Sequence, residues 1–167
     1  DAIVARVLQH ETLQELAKHA SVPVINSLCD RYHPCQALAD CLTLQEQFGS
    51  LDGLHLVYCG DGNNVTRSLM LYAAMLGAKV TSVTPADRAI EQSWLDDINA
   101  QAGGKAHNAT HFDDLGAVDV LYTDTWVSMG DDTPLQQVKE KFLPYQINAQ
   151  RVAQLKPRAV MHCQPVH

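Results

Sequence analysis

The sequence predicts an α/β fold: a doubly wound, mainly parallel sheet with helices on both faces. Three observations predict it. Short apolar runs rich in Val, Leu, Ile and Tyr alternate with longer amphipathic stretches. The runs are continuous rather than alternating with polar residues, as in strands covered on both faces. Polar residues gather just after the runs, where the loops and helix N-termini of a parallel sheet open onto a common crevice.

Taken in order, Ala2 to Leu8 reads as a buried strand, Glu11 to Ala20 as a short helix and Val22 to Asn26 as a second strand, together a βαβ unit. The next helix starts at Pro34, which suits a first helical turn because it has no N–H to leave unpaired, and ends at Gly49. A second βαβ unit runs from Leu54: strand "LHLVYC", turn "GDGNN", helix Val65 to Leu76 closed by Gly77, and strand "AKVTSVT" to Thr84. Ala86 to Ala102 reads as helical, "QAGGKAHNA" as a turn region, and "AVDVLYTD" as a buried strand ending at Asp124. Helical segments around Pro134 to Phe142 and Gln146 to Leu155 precede a last strand, "RAVMHC".

Composition narrows the function classes. A length of 167 residues with 46% hydrophobic content suits one domain or one and a half. A formal charge of -7 provides no basic stripe to displace phosphate counterions, which argues against nucleic acid as a partner. No apolar stretch is long enough to span a bilayer and no basic-then-apolar leader precedes Asp1, so a soluble protein without membrane partners is expected. Five cysteines without a CxxC pair point to neither a disulfide framework nor a zinc ribbon, and so to a reducing, cytoplasmic setting. Both ends read as cut rather than finished.

Four polar stretches carry the chemistry. In "HPCQALAD", His33 sits at the helix N-cap and Gln36 at the third helical position, so both are expected near the unpaired N–H groups and the positive end of the helix dipole. Cys35 reads as helix packing. The turn "GDGNNV" lacks the third glycine of a dinucleotide fingerprint, and no acidic residue follows the strand that ends at Thr84, so a nicotinamide cofactor is not expected. Asn63 or Asn64 can cap a helix or hold a carboxylate. "YTDTWVSMG" puts Asp124 at a strand end, where it serves either as a cap or as the carboxylate that binds an ammonium group. In "HCQP", Cys163 is either a small buried residue or a site thiol. His33, Cys35, His162, Cys163 and His167 have metal-binding atoms but no zinc-ligand spacing, so no metal is expected.

The four stretches together, in this order, resemble the transcarbamylase family over the whole chain, and its ornithine branch in particular, because the aspartate-specific relatives differ at "SMG" and at the cysteine motif. What the resemblance implies is transfer of a carbamoyl group from carbamoyl phosphate to the δ-amine of ornithine, with no metal or organic cofactor. It would give His33 and Gln36 the carbamoyl group, Asn64 the ornithine α-carboxylate, and Asp124, Ser128 and Met129 the α-amino end. Cys163 would lie near the reacting amine as a positioning group, with Gln164 beside it. It further implies residues 1–48 as the tail of a carbamoyl-phosphate domain with its linking helix, residues 49–167 as the ornithine-binding domain, and a homotrimer or a multiple of one. The sequence departs from the family pattern at Gln164, Ser27 and Cys29, and holds no copy of the phosphate-clamping "STRT" motif. Negligible turnover by the isolated chain is therefore expected. The alternatives are a non-catalytic amino-acid-binding module and a relative acting on an acylated ornithine.

Overall fold

The computed structural model describes residues 1–113, 115–127 and 132–164. Its elements run β1 (Ile3–Arg6), α1 (His10–His19), β2 (Val24–Leu28), α2 (Pro34–Phe48), β3 (His55–Cys59), α3 (Asn64–Met75), β4 (Lys79–Val83), α4 (Gln92–Ala102), β5 (Ala106–Ala109), β6 (Val120–Thr123), α5 (Leu135–Phe142), α6 (Ala149–Leu155) and β7 (Ala159–His162). β1 and β2 form a small parallel sheet of their own. The other five strands form one sheet in the order β5-β4-β3-β6-β7, with every neighbouring pair parallel. The winding reverses at β3, so the tips of β3 and β6 bound a crevice of the kind in which doubly wound sheets bind ligands.

Alternation along the strands divides the core between the two faces. Leu56 and Tyr58 of β3, Val80 of β4, and Val120 and Tyr122 of β6 pack with α2, α3 and α4 through Leu44, Leu69, Met70, Ala73, Leu95 and Ile98. Val57, Cys59, Val83 and Leu121 point to the other face, under Phe112, Val152 and Leu155. Helices thus cover both sides, as the apolar runs predict. Helix α2 stops at Gly49, whose φ of 81° is the left-handed conformation in which glycine ends a helix without strain. Among the described residues, no helix is long and apolar enough to cross a membrane.

The structure corrects four sequence expectations. The strand expected to be buried over Ala2 to Leu8 lies half open in its two-stranded sheet, with Val4 64% exposed. The "QAGGKAHNA" segment is not only a turn: after the α4 cap at Gly103, Ala106–Ala109 pairs with Val80–Val83 as the edge strand β5. Its polar His107 and Asn108 are exposed at that edge, which is why no strand pattern shows. The helix expected over 86–102 is broken, because a 3-10 turn at Ala86–Arg88 gives way to extended backbone at Ala89 and Glu91 before α4 begins. There the Arg88 carbonyl accepts from the Gly62 N–H at 2.9 Å and Ile90 enters the core. The helix expected from Gln146 begins at Ala149, where the Asn148 side chain caps it by accepting from Arg151 N at 2.9 Å.

Candidate active site

The site grows from the turn after β3. Gly62 passes so close to the next loop that a Cβ on it would lie 2.2 Å from the Arg88 carbonyl oxygen, so only glycine fits. That turn delivers Asn63 to the N-cap of α3, where its Oδ1 accepts from Val65 N at 2.9 Å and Thr66 N at 3.2 Å. With the carbonyl end committed to the cap, the amide end points out of the helix and donates to Asp124 Oδ2 at 3.0 Å.

Asp124 and Cys163 arrive beside Asn63 through strand register. Cys59 of β3 pairs with Thr123 of β6, and Thr123 pairs with His162 of β7. The next residues, Asp124 and Cys163, therefore emerge side by side at the carboxyl edge. The Cys163 thiol donates to Asp124 Oδ1 at 2.7 Å, and the same oxygen accepts from Thr125 N at 2.6 Å. Both side chains are buried. Burial, followed by the hydrogen bond and negative charge of Asp124, pushes the Cys163 thiol up to about 12, which keeps it protonated at neutral pH and a donor to Asp124.

The start of α2 faces this cluster from the other side. The His33 backbone N–H donates to Ser68 Oγ at 2.8 Å, and Asn64 Nδ2 donates to the Cys29 carbonyl at 2.6 Å, so two hydrogen bonds tie the β2–α2 connection to α3. The His33 side chain makes no cap, and its Nδ1 is buried without a hydrogen-bond partner among the described residues. Burial and then the Arg6 cation hold its imidazole below its ordinary pKa, hence neutral at pH 7. The amide nitrogen of Gln36 has a partner that the sequence did not suggest. Its Nε2 donates to Asp40 Oδ1 at 3.0 Å, one helical turn further on, the carboxylate being the acceptor that an amide NH2 needs. Asp40 Oδ2 accepts from the Tyr122 hydroxyl at 2.8 Å. Burial raises the Asp40 pKa, against the lowering effect of its bonds to Tyr122 and Gln36.

Two hollows flank the Asn63–Asp124 contact. One, of about 450 Å³, is lined by Asp61, Asn63, Asn64, Arg67 and Arg88 among others. The other, of about 810 Å³, is lined by Asp124, Trp126, Val138 and His162 among others. The structure thus brings Asp124 and Cys163 into contact, while Asn64 adjoins Asn63, the partner of Asp124, and lines the other hollow. Gln164 is exposed, and Ser128 and Met129 lie outside the described residues. Cys35, expected to pack, is exposed on α2, outside the buried stripe of Ala37, Asp40, Cys41 and Leu44. Among the described residues no three His, Cys, Asp or Glu side chains are placed to hold a metal.

Sequence reasoning missed Asp40 and Tyr122 and left Asn63 as one of two possible caps. A signal for Asp40 was present: it is the one charged residue in that buried stripe of α2.

Comparison with known proteins points the same way. The family model described as the Asp/Orn binding domain of aspartate/ornithine carbamoyltransferase matches residues 52–167, and that of the carbamoyl-P binding domain matches residues 1–46. The chain is 54% identical over its whole length to an ornithine carbamoyltransferase of Moritella profunda, of which it covers 56%, and 44% identical to one of Thermococcus kodakarensis, of which it covers 55%. It superposes over its whole length on the ornithine carbamoyltransferase of Pyrococcus furiosus with a TM-score of 0.88 at 40% identity, covering 55% of that chain. The chain therefore spans a little over half the length of the relatives it matches. With both family models in succession along it, the chain belongs to the aspartate/ornithine carbamoyltransferase family.

Proposed function

We propose that this chain supplies the ornithine-binding domain, residues 49–167, and the end of the carbamoyl-phosphate domain with its linking helix, residues 1–48, of an enzyme that carbamoylates the δ-amine of ornithine. The observation that carries the reading is the buried Asp124 carboxylate, held at the switch point of the sheet by Asn63, Thr125 and Cys163. A carboxylate fixed in a partly dry hollow favours an ammonium partner. In this reading Asp124, with Ser128 and Met129, binds the α-amino end of ornithine. The second N–H of the Asn64 amide takes the α-carboxylate. Cys163, with Gln164 beside it, keeps the δ-amine in line.

At the carbamoyl end, a neutral His33 donates to the carbonyl oxygen without requiring a second buried charge, and the N-terminus of α2 adds its positive dipole. The lone pair of the neutral δ-amine attacks the carbamoyl carbon, the bond from that carbon to the phosphate oxygen breaks, and the proton lost by the amine leaves with phosphate or solvent. The products are citrulline and phosphate. Alignment of the two substrates lowers the barrier by removing the bimolecular entropy cost. The same reading carries a homotrimer, or a multiple of one, and a cytoplasmic location.

The test is product formation by the purified full-length enzyme given carbamoyl phosphate and each of ornithine, N-acetylornithine and aspartate. Equimolar citrulline and phosphate from ornithine, at a kcat/KM at least about 100-fold above the other two acceptors, is the expected result; the buried polar groups would be left unpaired by the wrong acceptor. Preference for either competitor would overturn the assignment.

A further inference from the structure

We infer that Asp40 is a positioning residue that fixes which end of the Gln36 amide faces the reacting carbamoyl group. The inference rests on the reading of Gln36 as a carbamoyl-binding residue. Asp40 is 6% exposed and occupies the apolar stripe of α2, where an ionisable side chain is costly. Among the described residues it forms no ion pair, so stabilisation of the helix by charge pairing does not explain its presence. What it has is two donors, Gln36 Nε2 on Oδ1 at 3.0 Å and the Tyr122 hydroxyl on Oδ2 at 2.8 Å.

The polarity of these bonds decides the outcome. A carboxylate is an acceptor only, so the Gln36 side chain must turn its NH2 end to Asp40 and its carbonyl oxygen away from it. A carbamoyl group presents an NH2 that needs an acceptor and a carbonyl oxygen that needs a donor. With Oε1 turned outward, Gln36 accepts from the carbamoyl NH2, while His33 and the helix N-terminus serve the carbonyl oxygen. The flipped amide would set donor against donor. Tyr122 keeps the carboxylate from rotating: it is fully buried, stacked on Tyr58 at 5.8 Å between ring centres, and belongs to the interior strand β6. Asp40 thus acts on the substrate only through Gln36.

A mutant cycle on the full-length enzyme tests this, using Gln36→Ala, Asp40→Leu and their combination, with kcat/KM measured separately for carbamoyl phosphate and ornithine. Asp40→Leu is expected to lower kcat/KM for carbamoyl phosphate about 5- to 20-fold, as loss of one fixed hydrogen bond would, and to move the KM for ornithine less than about threefold. In the Gln36→Ala background the same change should have no further effect. Asp40→Asn, whose carbonyl can still accept from Gln36 while its NH2 meets the Tyr122 hydroxyl, should recover most of the loss. If Gln36→Ala is impaired but Asp40→Leu is not, or if the two losses multiply, the inference is wrong and the assignment of Gln36 survives. If Gln36→Ala is itself unimpaired, that assignment fails and the inference falls with it. Should Asp40→Leu not fold, Tyr122→Phe replaces it in the same cycle: a loss confined to carbamoyl phosphate and absent from the Gln36→Ala background supports the inference, and any other pattern overturns it.

Discussion

Replacing Asp124 by Asn is the most direct way to separate charge from shape in the proposed ornithine site. The carboxylate accepts from three donors, Thr125 N, Cys163 Sγ and Asn63 Nδ2, at 2.6, 2.7 and 3.0 Å. A carboxamide has only one oxygen, so its NH2 must face either Asn63 or the Thr125 and Cys163 pair. Asn63 cannot turn over to receive it, because its own oxygen holds the α3 cap through Val65 N and Thr66 N. One buried donor is therefore stranded, at about 1–3 kcal/mol, which for a domain of this size lowers the thermal midpoint by roughly 2–12 °C. The loss of a charged partner for the ornithine ammonium is a separate quantity, about 1.5–3 kcal/mol, or roughly 10- to 150-fold in ornithine affinity. Initial-rate kinetics with each substrate varied in turn, alongside thermal unfolding with and without ornithine, read the two effects independently. Asp124→Asn should raise the KM for ornithine by that factor while the KM for carbamoyl phosphate stays within about threefold. Equal losses for both substrates would make Asp124 a structural residue and undo the assignment of the ammonium site.

Other perturbations test the supporting structure. Gly62→Ala should destabilise by about 1–3 kcal/mol as an overpacked contact, since the new Cβ would meet the Arg88 carbonyl oxygen at 2.2 Å, and it should weaken ornithine binding by displacing Asn63; an unchanged thermal midpoint would show that the turn relaxes freely. Iodoacetamide at pH 8 should label Cys35, the exposed cysteine, well before Cys29, Cys41, Cys59 or Cys163, all buried, as peptide mass mapping will show; comparable labelling of Cys163 would contradict its assignment as a protonated, buried donor. Burial first of all pushes Cys41, Cys59 and Cys163 up to about 12 from 9.0. Groups whose pKa is raised by folding contribute stability that is fully present below the unfolded value and lost as pH rises toward the folded one. Their contribution should therefore hold up to about pH 9 and decline between about pH 9 and 12, in denaturant titrations across that range. A matched variant with Cys59→Ala should show a shallower alkaline decline, and an unaltered slope would remove the buried thiols as its cause.

Much of this was legible in the linear sequence, for identifiable reasons. The β3–α3–β4 unit announces itself because a continuous apolar run, a Gly-containing turn and an Asn cap are all local signals. β5 does not, because what makes it a strand is pairing with β4 on one side and the Asn99 amide on its other, which donates to the Ala106 carbonyl and accepts from its N–H, both at 2.8 Å. The motif positions His33, Asn64, Asp124 and Cys163 could be picked out individually, but the contact between Asp124 and Cys163, 39 residues apart, exists only once β6 and β7 are known to pair in parallel with Thr123 opposite His162. Asp40 was hidden in a different way. A pattern search for a helical apolar stripe tolerates one polar residue, and nothing local says that this one faces a tyrosine 82 positions away.

The two hydrogen-bond networks have a common origin in one strand. Tyr122 and Asp124 are two apart along the line of β6, so they project to the same face of the sheet. Tyr122 anchors Asp40 and through it Gln36, while Asp124 anchors Cys163 and Asn63. The groups proposed for the carbamoyl end and those proposed for the amino-acid end are thereby referred to positions two residues apart, about 6.4–6.8 Å along extended backbone, at the end of a strand that pairing with β3 and β7 holds as far as Thr123. A reaction that depends on holding an amine nitrogen within reach of a carbonyl carbon gains most from that arrangement, because an error of 1 Å at this distance costs about 100-fold in rate, and an interior strand of a parallel sheet, paired on both sides, resists a drift of that size.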